Sequence, residues 1–330
     1  MTKSILVSNS IEIDENLETN LRPKILEDYI GQHQLIENLK IFSRAARMRS
    51  QPLDHILFSG PPGLGKTTLA HVLAAELKSR IFVTSGPALE KKGDLAGLLT
   101  NLNNYDIIFI DEIHRLQKSI EENLYPAMED FRFDIIVGEG ARAKSIGLEI
   151  KPFTLIGATT KTGLLSAPFR DRFGFSARLE FYNNEDLSKI IKRSAAIMNI
   201  DITPDAAIAI AKRSRGTPRI ANRLLKRIRD FAQVVNVKIV DLTLALDSLS
   251  KLGIYDDGLD LVDKKILMFL VRNSKGSPVG IDTLSIITEE SVSTIEDVYE
   301  PYLIRDGYLI RTSRGRVATL KAFKLFKDLK

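Results

Sequence analysis

The stretch Ile56-Leu57-Phe58-Ser59-Gly60-Pro61-Pro62-Gly63-Leu64-Gly65-Lys66-Thr67 decides the fold. A short β-branched and aromatic run stops at a glycine-rich turn. Thr68-Leu69-Ala70-His71-Val72-Leu73 then begins a helical pattern, expected over residues 66–78. The turn matches GxxxxGK[ST], and its strand-before, helix-after context is the one the chemistry requires. Glycines let successive backbone N–H groups turn inward around phosphate oxygens, and the helix N-terminus adds a favourable field. Gly63, Leu64 and Gly65 supply the cradle. Lys66 reaches the β- and γ-phosphates, and Thr67 ligates Mg²⁺.

Further along, Ile107-Ile108-Phe109-Ile110 runs into Asp111-Glu112. An apolar strand ending in two acids is common and on its own marks solvated carboxylates. About 45 residues after a phosphate loop it reads differently. Asp111 belongs in the Mg²⁺ shell, and Glu112 can orient and polarise an attacking water. An Asp-Glu pair favours hydrolysis over nucleotide storage. Ile156-Gly157-Ala158-Thr159-Thr160 ends another strand in hydroxyls, which makes Thr159 a candidate γ-phosphate sensor. Phe169-Arg170-Asp171-Arg172-Phe173 sets two guanidinium groups between aromatic anchors. Either Arg170 or Arg172 could reach a neighbour's γ-phosphate and stabilise transition-state charge.

Short apolar runs at Ile56–Phe58, Ile81–Val83, Ile107–Ile110, Phe153–Ile156 and Leu179–Phe181 alternate with helical stretches. That alternation argues an α/β fold with a parallel sheet covered on both faces. Residues 183–252 read as helices, with a start at Thr217-Pro218 and a stripe of Ile220, Leu224, Ile228 and Phe231. A turn-rich boundary follows at 253–258. Beyond it come three helical patterns and two strand-like runs, Tyr308–Arg311 and Arg316–Leu320, the layout of a winged helix. The chain has 330 residues, 44% of them hydrophobic and 27% charged, enough for two or three domains. It has no cysteine, which excludes disulfide scaffolds and thiolate metal sites. The four histidines show no ligand spacing. No apolar run spans a bilayer and no leader pattern opens the chain, so a soluble, cytoplasmic protein is expected. Net charge is +5, but residues 301–330 hold eight Lys/Arg against two Asp/Glu. A basic end on a nearly neutral body suits a polyanion. Arg311 and Arg316 flank the wing turn, where they are expected to bracket a DNA backbone phosphate without reading bases.

The order of GPPGLGKTTLA at 60–70, DEIHRL at 111–116, IGATTK at 156–161, APFRDRFG at 167–174, RGTPRIANRLL at 215–225 and RTSRGRVAT at 311–319 resembles AAA+ ATPases. Together with Leu21-Arg22-Pro23, Asp28-Tyr29-Ile30-Gly31-Gln32 and RLEFY at 178–182, it resembles most closely the RuvB family of bacterial Holliday-junction branch-migration motors. The resemblance covers residue 20 to the end. It implies an AAA+ P-loop NTPase core with a parallel sheet, a helical lid and a C-terminal winged-helix domain. The boundaries expected are a flexible tail at 1–20, the ATPase domain at 21–182, the lid at 183–254 and the DNA-binding head at 255–330.

It further implies a homohexamer around duplex DNA, using ATP/ADP and Mg²⁺. The partner RuvA would dock on a hairpin at 133–151, and the junction resolvase RuvC extends the expected partners. Leu21 and Arg22 would contact nucleotide, with Tyr29 and Ile30 at the adenine. Gly63, Lys66, Thr67 and Thr68 would hold phosphates and metal. Glu129, Asp130, Phe131 and Tyr182 would add nucleotide contacts. Arg172 matches the finger position best, with Arg170 kept beside it. Arg219 would be a lid sensor, and an arginine at a helix N-terminus is indeed poorly placed until an anion meets it. Two rival classes remain open: a DNA-binding AAA+ switch or initiator, and a clamp-loader-like ATPase.

Overall fold

Short runs of Ile, Leu, Phe and Val, too hydrophobic to leave one face in water, are buried most completely as parallel strands covered on both sides. The computed structural model describes residues 20–137, 144–255, 258–273 and 277–326. The acidic tail, except Asn20, and the hairpin loop 138–143 lie outside the described residues. The chain divides into two compact units, one ending at Tyr182 and one beginning at Asn183.

In the first unit the strands are β1 (Ile56–Ser59), β2 (Ile81–Ser85), β3 (Ile107–Asp111), β4 (Arg132–Val137), β5 (Lys144–Glu149), β6 (Thr154–Thr159) and β7 (Phe175–Arg178). Five of them form one parallel sheet in the order β2-β3-β6-β1-β7. Every residue of β6 is buried, as the central strand requires. β4 and β5 make a separate antiparallel hairpin, with Phe133 buried in the core of the unit and Ile146 exposed. The run Leu179–Phe181, expected as a strand, is not one. The edge strand is Phe175–Arg178, and Leu179 only extends its ladder with one bond to Ser59 O (2.8 Å). Leu179 is fully buried because it follows the strand inward, so its apolar character reports packing rather than pairing.

Helices of the second unit begin with Asn184–Ile197, capped by the Asn183 side chain, and Pro204–Arg213, capped by Thr203. A two-residue parallel pair, β8 (Asp201–Ile202) with β9 (Ile239–Val240), interrupts the expected all-helical stretch. The helix Pro218–Val234 buries Ala221, Leu224, Leu225 and Ile228 on one stripe. The wing is β10 (Leu309–Thr312) against β11 (Gly315–Ala318), with Arg311 opposite Arg316.

No break in packing separates the lid from the head. Arg215, with a left-handed backbone (φ 53°), sends its guanidinium to the start of the head. It donates to Gly258 O (3.0 Å), Asp260 (2.7 Å) and Asp263. Arg305 in turn donates to Arg215 O (3.1 Å). Asp260 caps the helix Leu261–Arg272, and Asp263 completes a reciprocal capping box. Asp263 Oδ1 is buried without a hydrogen-bond partner. Burial pushes the Asp263 carboxyl up to about 7, and the opposing pull of Arg215 does not cancel it.

This raised pKa has a defined sign. The folded chain takes up the proton near 7, whereas the ordinary value is 3.8. Stability from this position therefore grows as pH falls from 8 towards 5 and is lost as pH rises through 7. Thermal unfolding of the full chain, compared with Asp263→Asn, should show the wild-type advantage increasing towards pH 5. A pH-independent difference would reject the assignment.

Candidate active site

β1 enters the phosphate loop, and the helix Lys66–Leu77 leaves it. Gly65 has φ 101°, and a Cβ there would lie 2.6 Å from the Tyr29 hydroxyl, so only glycine suits the position. Lys66 is buried and donates to Gly60 O (2.7 Å) and Pro61 O (2.8 Å), inside the curve of the loop. Thr67 and Thr68 are half-buried in the first turn.

β6 lies between β1 and β3, so three strand ends converge. Gly60 N–H donates to Thr159 O (3.2 Å), which fastens the loop to β6. Asp111 ends β3 half-buried, and its Oδ1 accepts from Glu112 N–H (3.0 Å). The sheet thus brings Lys66, Thr67, Asp111, Glu112 and Thr159 to one edge. A hydroxyl and a carboxylate near a phosphate cradle are hard oxygen donors, the set that suits Mg²⁺ with waters completing its shell. Among the described residues no group of three or more His, Asp or Glu could hold a metal unaided.

Thr159 departs from its expected use. It is fully buried, its Oγ1 accepts from Lys161 N–H (2.9 Å), and it lies 2.9 Å from His114 Nδ1. A hydroxyl so occupied is not aimed at a phosphate. Thr160, the next hydroxyl, is half-buried just past the strand.

The side of the loop away from β3 is lined by Tyr29 and Tyr182. Both are buried, and the Tyr182 hydroxyl lies 3.3 Å from Tyr29 Oη and 3.4 Å from Leu64 O, with its single proton shared between them. Gly31 leaves room for the Tyr182 ring, which a Cβ would strike. Leu21 is buried and Ile30 half-buried. Burial, and less strongly the charge of Arg22, lowers the pKa of His71 in the phosphate-loop helix. Tyr29 and Tyr182 therefore stand against the loop, at Gly65 and Leu64.

Arg172, Glu129, Asp130 and Phe131 lie elsewhere. His55, immediately before β1, accepts at Nδ1 from Leu155 N–H (2.8 Å) and contacts Met128 O through Nε2 (3.0 Å). Its O accepts from Phe175 N–H (3.2 Å). Phe131 packs edge-on against Phe153. Residues 128–131 and 172–175 thus sit at the N-terminal ends of β1 and β6, the far end of the sheet from Lys66. There Arg172, its side chain 22% exposed, pairs with Glu129 (3.1 Å). It also donates to Pro168 O (2.7 Å) and lies 4.2 Å over the Tyr125 ring. Tyr125 donates to the buried Glu121 (2.8 Å), which Ser166 also engages. Ser166 caps the short helix Ala167–Arg170. Arg170 at its end is exposed.

The match to known proteins covers nearly the whole chain. A family model described as the Holliday junction DNA helicase RuvB P-loop domain fits residues 21–179. The RuvB AAA lid domain fits 182–255, and the RuvB C-terminal winged helix domain fits 256–327. The chain belongs to the RuvB family. The Holliday junction branch migration complex subunit RuvB of Lawsonia intracellularis is 55% identical over 307 residues, 93% of this chain and 90% of that protein. The Thermotoga maritima RuvB Holliday junction branch migration motor superposes with a TM-score of 0.84 at 49% identity, covering 93% of this chain and 98% of that one. A single-residue mutant of the same Thermotoga protein gives 0.85. A RuvB-family chain is a P-loop AAA+ ATPase and a branch-migration motor, which decides against the switch and clamp-loader readings.

The two remaining groups lie in the second unit. Arg219 is exposed at the second position of the helix Pro218–Val234, whose first turn holds no acid. In the wing, Arg311 is 56% exposed, but Arg316 is only 7% exposed. Arg316 binds Glu300, itself buried, and Glu296 (3.0 Å), while Arg311 also reaches Glu296 (2.6 Å). The expected bracket of two equivalent arginines is corrected: Arg316 belongs to the frame of the wing, and Arg311 faces outward. Sequence reasoning did not single out His114, which contacts Glu112 two residues before it and Thr159 in another strand.

Gly65→Ala should fold yet bind nucleotide about 10–100-fold more weakly, since the substitution strains φ and strikes Tyr29. Titration with a fluorescent ATP analogue measures this; unchanged affinity would remove the close approach from the binding surface.

Proposed function

We propose that this chain works as one subunit of a ring in which ATP sits at the seam between neighbours. One observation carries the reading: the phosphate loop and Arg172 occupy opposite ends of a single sheet. A rigid sheet does not let Arg172 reach the phosphates held by its own Lys66. In a head-to-tail ring it would meet the neighbour's, and a rotational closure of that kind is how heterologous interfaces make finite assemblies. Stacking on Tyr125 and pairing with Glu129 pre-orient the guanidinium, which reduces the ordering cost at the moment of catalysis. Glu129, Asp130 and Phe131 then belong to the neighbour's nucleotide, not to the chain's own.

Within the site, Lys66 and the loop N–H groups bind the phosphates of ATP or ADP. Thr67 and Asp111 would hold Mg²⁺, which supplies charge neutralisation between the phosphates. Glu112 orients water, with Thr160 rather than Thr159 nearest the γ-phosphate. Arg219 responds to loss of that phosphate by moving the lid. Because Arg215 locks lid to head, the wing follows the lid as one body. The exposed Arg311, together with Arg314 at the turn, then tracks DNA phosphates. The ring would be a hexamer that draws duplex arms through a Holliday junction. RuvA would dock on the hairpin 133–151, and RuvC would act on the same junction.

Arg172→Ala should lower ATP turnover by about 10³-fold or more. Mixing it with a Lys66→Ala chain, which lacks a working loop but keeps Arg172, should restore turnover at the mixed seams. Failure of that complementation, with each variant assembled, would move the finger to Arg170 or remove it.

Arg311→Ala should weaken DNA binding equally across sequences and reduce the salt slope by about one. Arg316→Ala should instead destabilise the fold by about 3–5 kcal/mol, because it strands Glu300 in the interior. Salt-dependent DNA binding and thermal unfolding distinguish the two outcomes.

A further inference from the structure

Glu112 is held by more than its place after β3. Its backbone is left-handed (φ 49°, ψ 42°), a conformation non-glycine residues adopt only when their surroundings impose it. Its N–H is taken by Asp111 Oδ1 (3.0 Å), and its C=O accepts from Arg115 N–H (2.8 Å). The backbone of Gly86 presses on that carbonyl so closely that a Cβ at 86 would lie 2.5 Å from it. The next residue, Ile113, is buried against Gly157 of β6, where a Cβ would lie 2.8 Å from its Cδ1. The short turn Ile113–Arg115 is thereby fastened to β6, and it brings His114 over Thr159.

His114 then bridges the two strand ends. Nδ1 lies 2.9 Å from Thr159 Oγ1, and Nε2 lies 3.3 Å from Glu112 Oε2, with the imidazole only 7% exposed. The carboxylate favours one direction for the chain: a neutral imidazole has a single N–H, and the acceptor oxygen of Glu112 at Nε2 draws it there. Thr159 Oγ1, which accepts the Lys161 N–H, can then donate its hydroxyl proton to a bare His114 Nδ1. A neutral imidazole that accepts at Nδ1 carries its hydrogen on Nε2, which then donates to Glu112. The other tautomer would turn a bare Nε2 lone pair towards a carboxylate. Backbone N–H to hydroxyl, hydroxyl to imidazole and imidazole to carboxylate therefore all run one way. The last bond is long, as hydrogen bonds to catalytic groups are before substrate draws them together.

We propose that His114 is a positioning residue for ATP hydrolysis. Its imidazole fixes Oε2 of Glu112, leaves Oε1 for the attacking water, and ties that carboxylate to the end of β6 through Thr159. An outer carboxylate–imidazole contact of this kind orients a reacting group without touching substrate. The inference rests on Glu112 as the water-orienting base, and the test separates the two.

The test is steady-state ATP hydrolysis by the full chain with DNA, alongside nucleotide affinity and thermal unfolding. H114A should lose about 10–100-fold in kcat, with KM and affinity within threefold. H114Q, whose amide nitrogen can replace Nε2, should recover most of the rate. H114N, which replaces only Nδ1, should stay as slow as H114A. In an E112Q background, H114A should cause no further loss. Normal turnover by H114A while E112Q is inactive overturns the role of His114 alone. Normal turnover by E112Q overturns the Glu112 reading beneath it. Equal loss of nucleotide binding and stability in H114A and H114Q, or no recovery in H114Q, makes His114 a structural residue and also ends the proposal.

Discussion

The insertion of β6 between β1 and β3 is the constraint on which the site depends. Parallel strands with helical crossovers all end at the same edge, so their loops meet there. With β6 in the middle, the phosphate loop after β1 and the carboxylates after β3 stand on either side of one strand end. Gly60 bonds to Thr159 O on one side, and His114 reaches Thr159 Oγ1 from the other. A single residue of β6 thus spaces the loop from Glu112. Its complete burial makes that spacing stiff, since a close-packed interior does not deform continuously.

The same sheet keeps two groups of candidate residues apart. Its C-terminal edge carries the phosphate loop, Asp111 and Glu112, and its N-terminal edge carries Arg172. The strands between them are only four to six residues long, yet β1, β3 and β6 are the buried centre of the unit. Nothing short of unfolding brings the two edges together. Tyr125 and Glu129 hold Arg172 in place at that edge, and Glu121 and Ser166 in turn hold Tyr125. Ordering a long cationic side chain costs entropy, and stacking on Tyr125 with pairing to Glu129 offsets that cost in advance.

Most of this was legible in the sequence wherever function depends on local backbone. The phosphate loop needs glycines at fixed close spacing, here 60, 63 and 65, and the buried strands need unbroken apolar runs, so both are visible as patterns. Three features were not. Phe175–Arg178 alternates weakly because it is an edge strand, while the more apolar Leu179 is buried just beyond it. His114 has one partner two residues away and another in a different strand, a relation only the topology creates. Arg316 resembles a phosphate-binding wing residue. The signal against it was Glu296 and Glu300, four apart on the helical segment facing the wing, a spacing that puts both acids on one side.

That arrangement in the wing bears on how force is transmitted. A contact that slides along phosphates needs positive charge at the surface but gains nothing from charge in the interior. Buried ion pairs seldom add net stability over apolar packing, yet they are specific in geometry, because either partner left alone is costly. Arg316 with Glu300 is a pair of this kind and holds the hairpin to its helix, while Arg215 holds the head to the lid through Gly258 O, Asp260 and the buried Asp263. The exposed Arg311 sits directly across the hairpin from Arg316. Arg215 and Arg316 therefore tie lid, head and wing together through side-chain contacts, with the exposed Arg311 beside them.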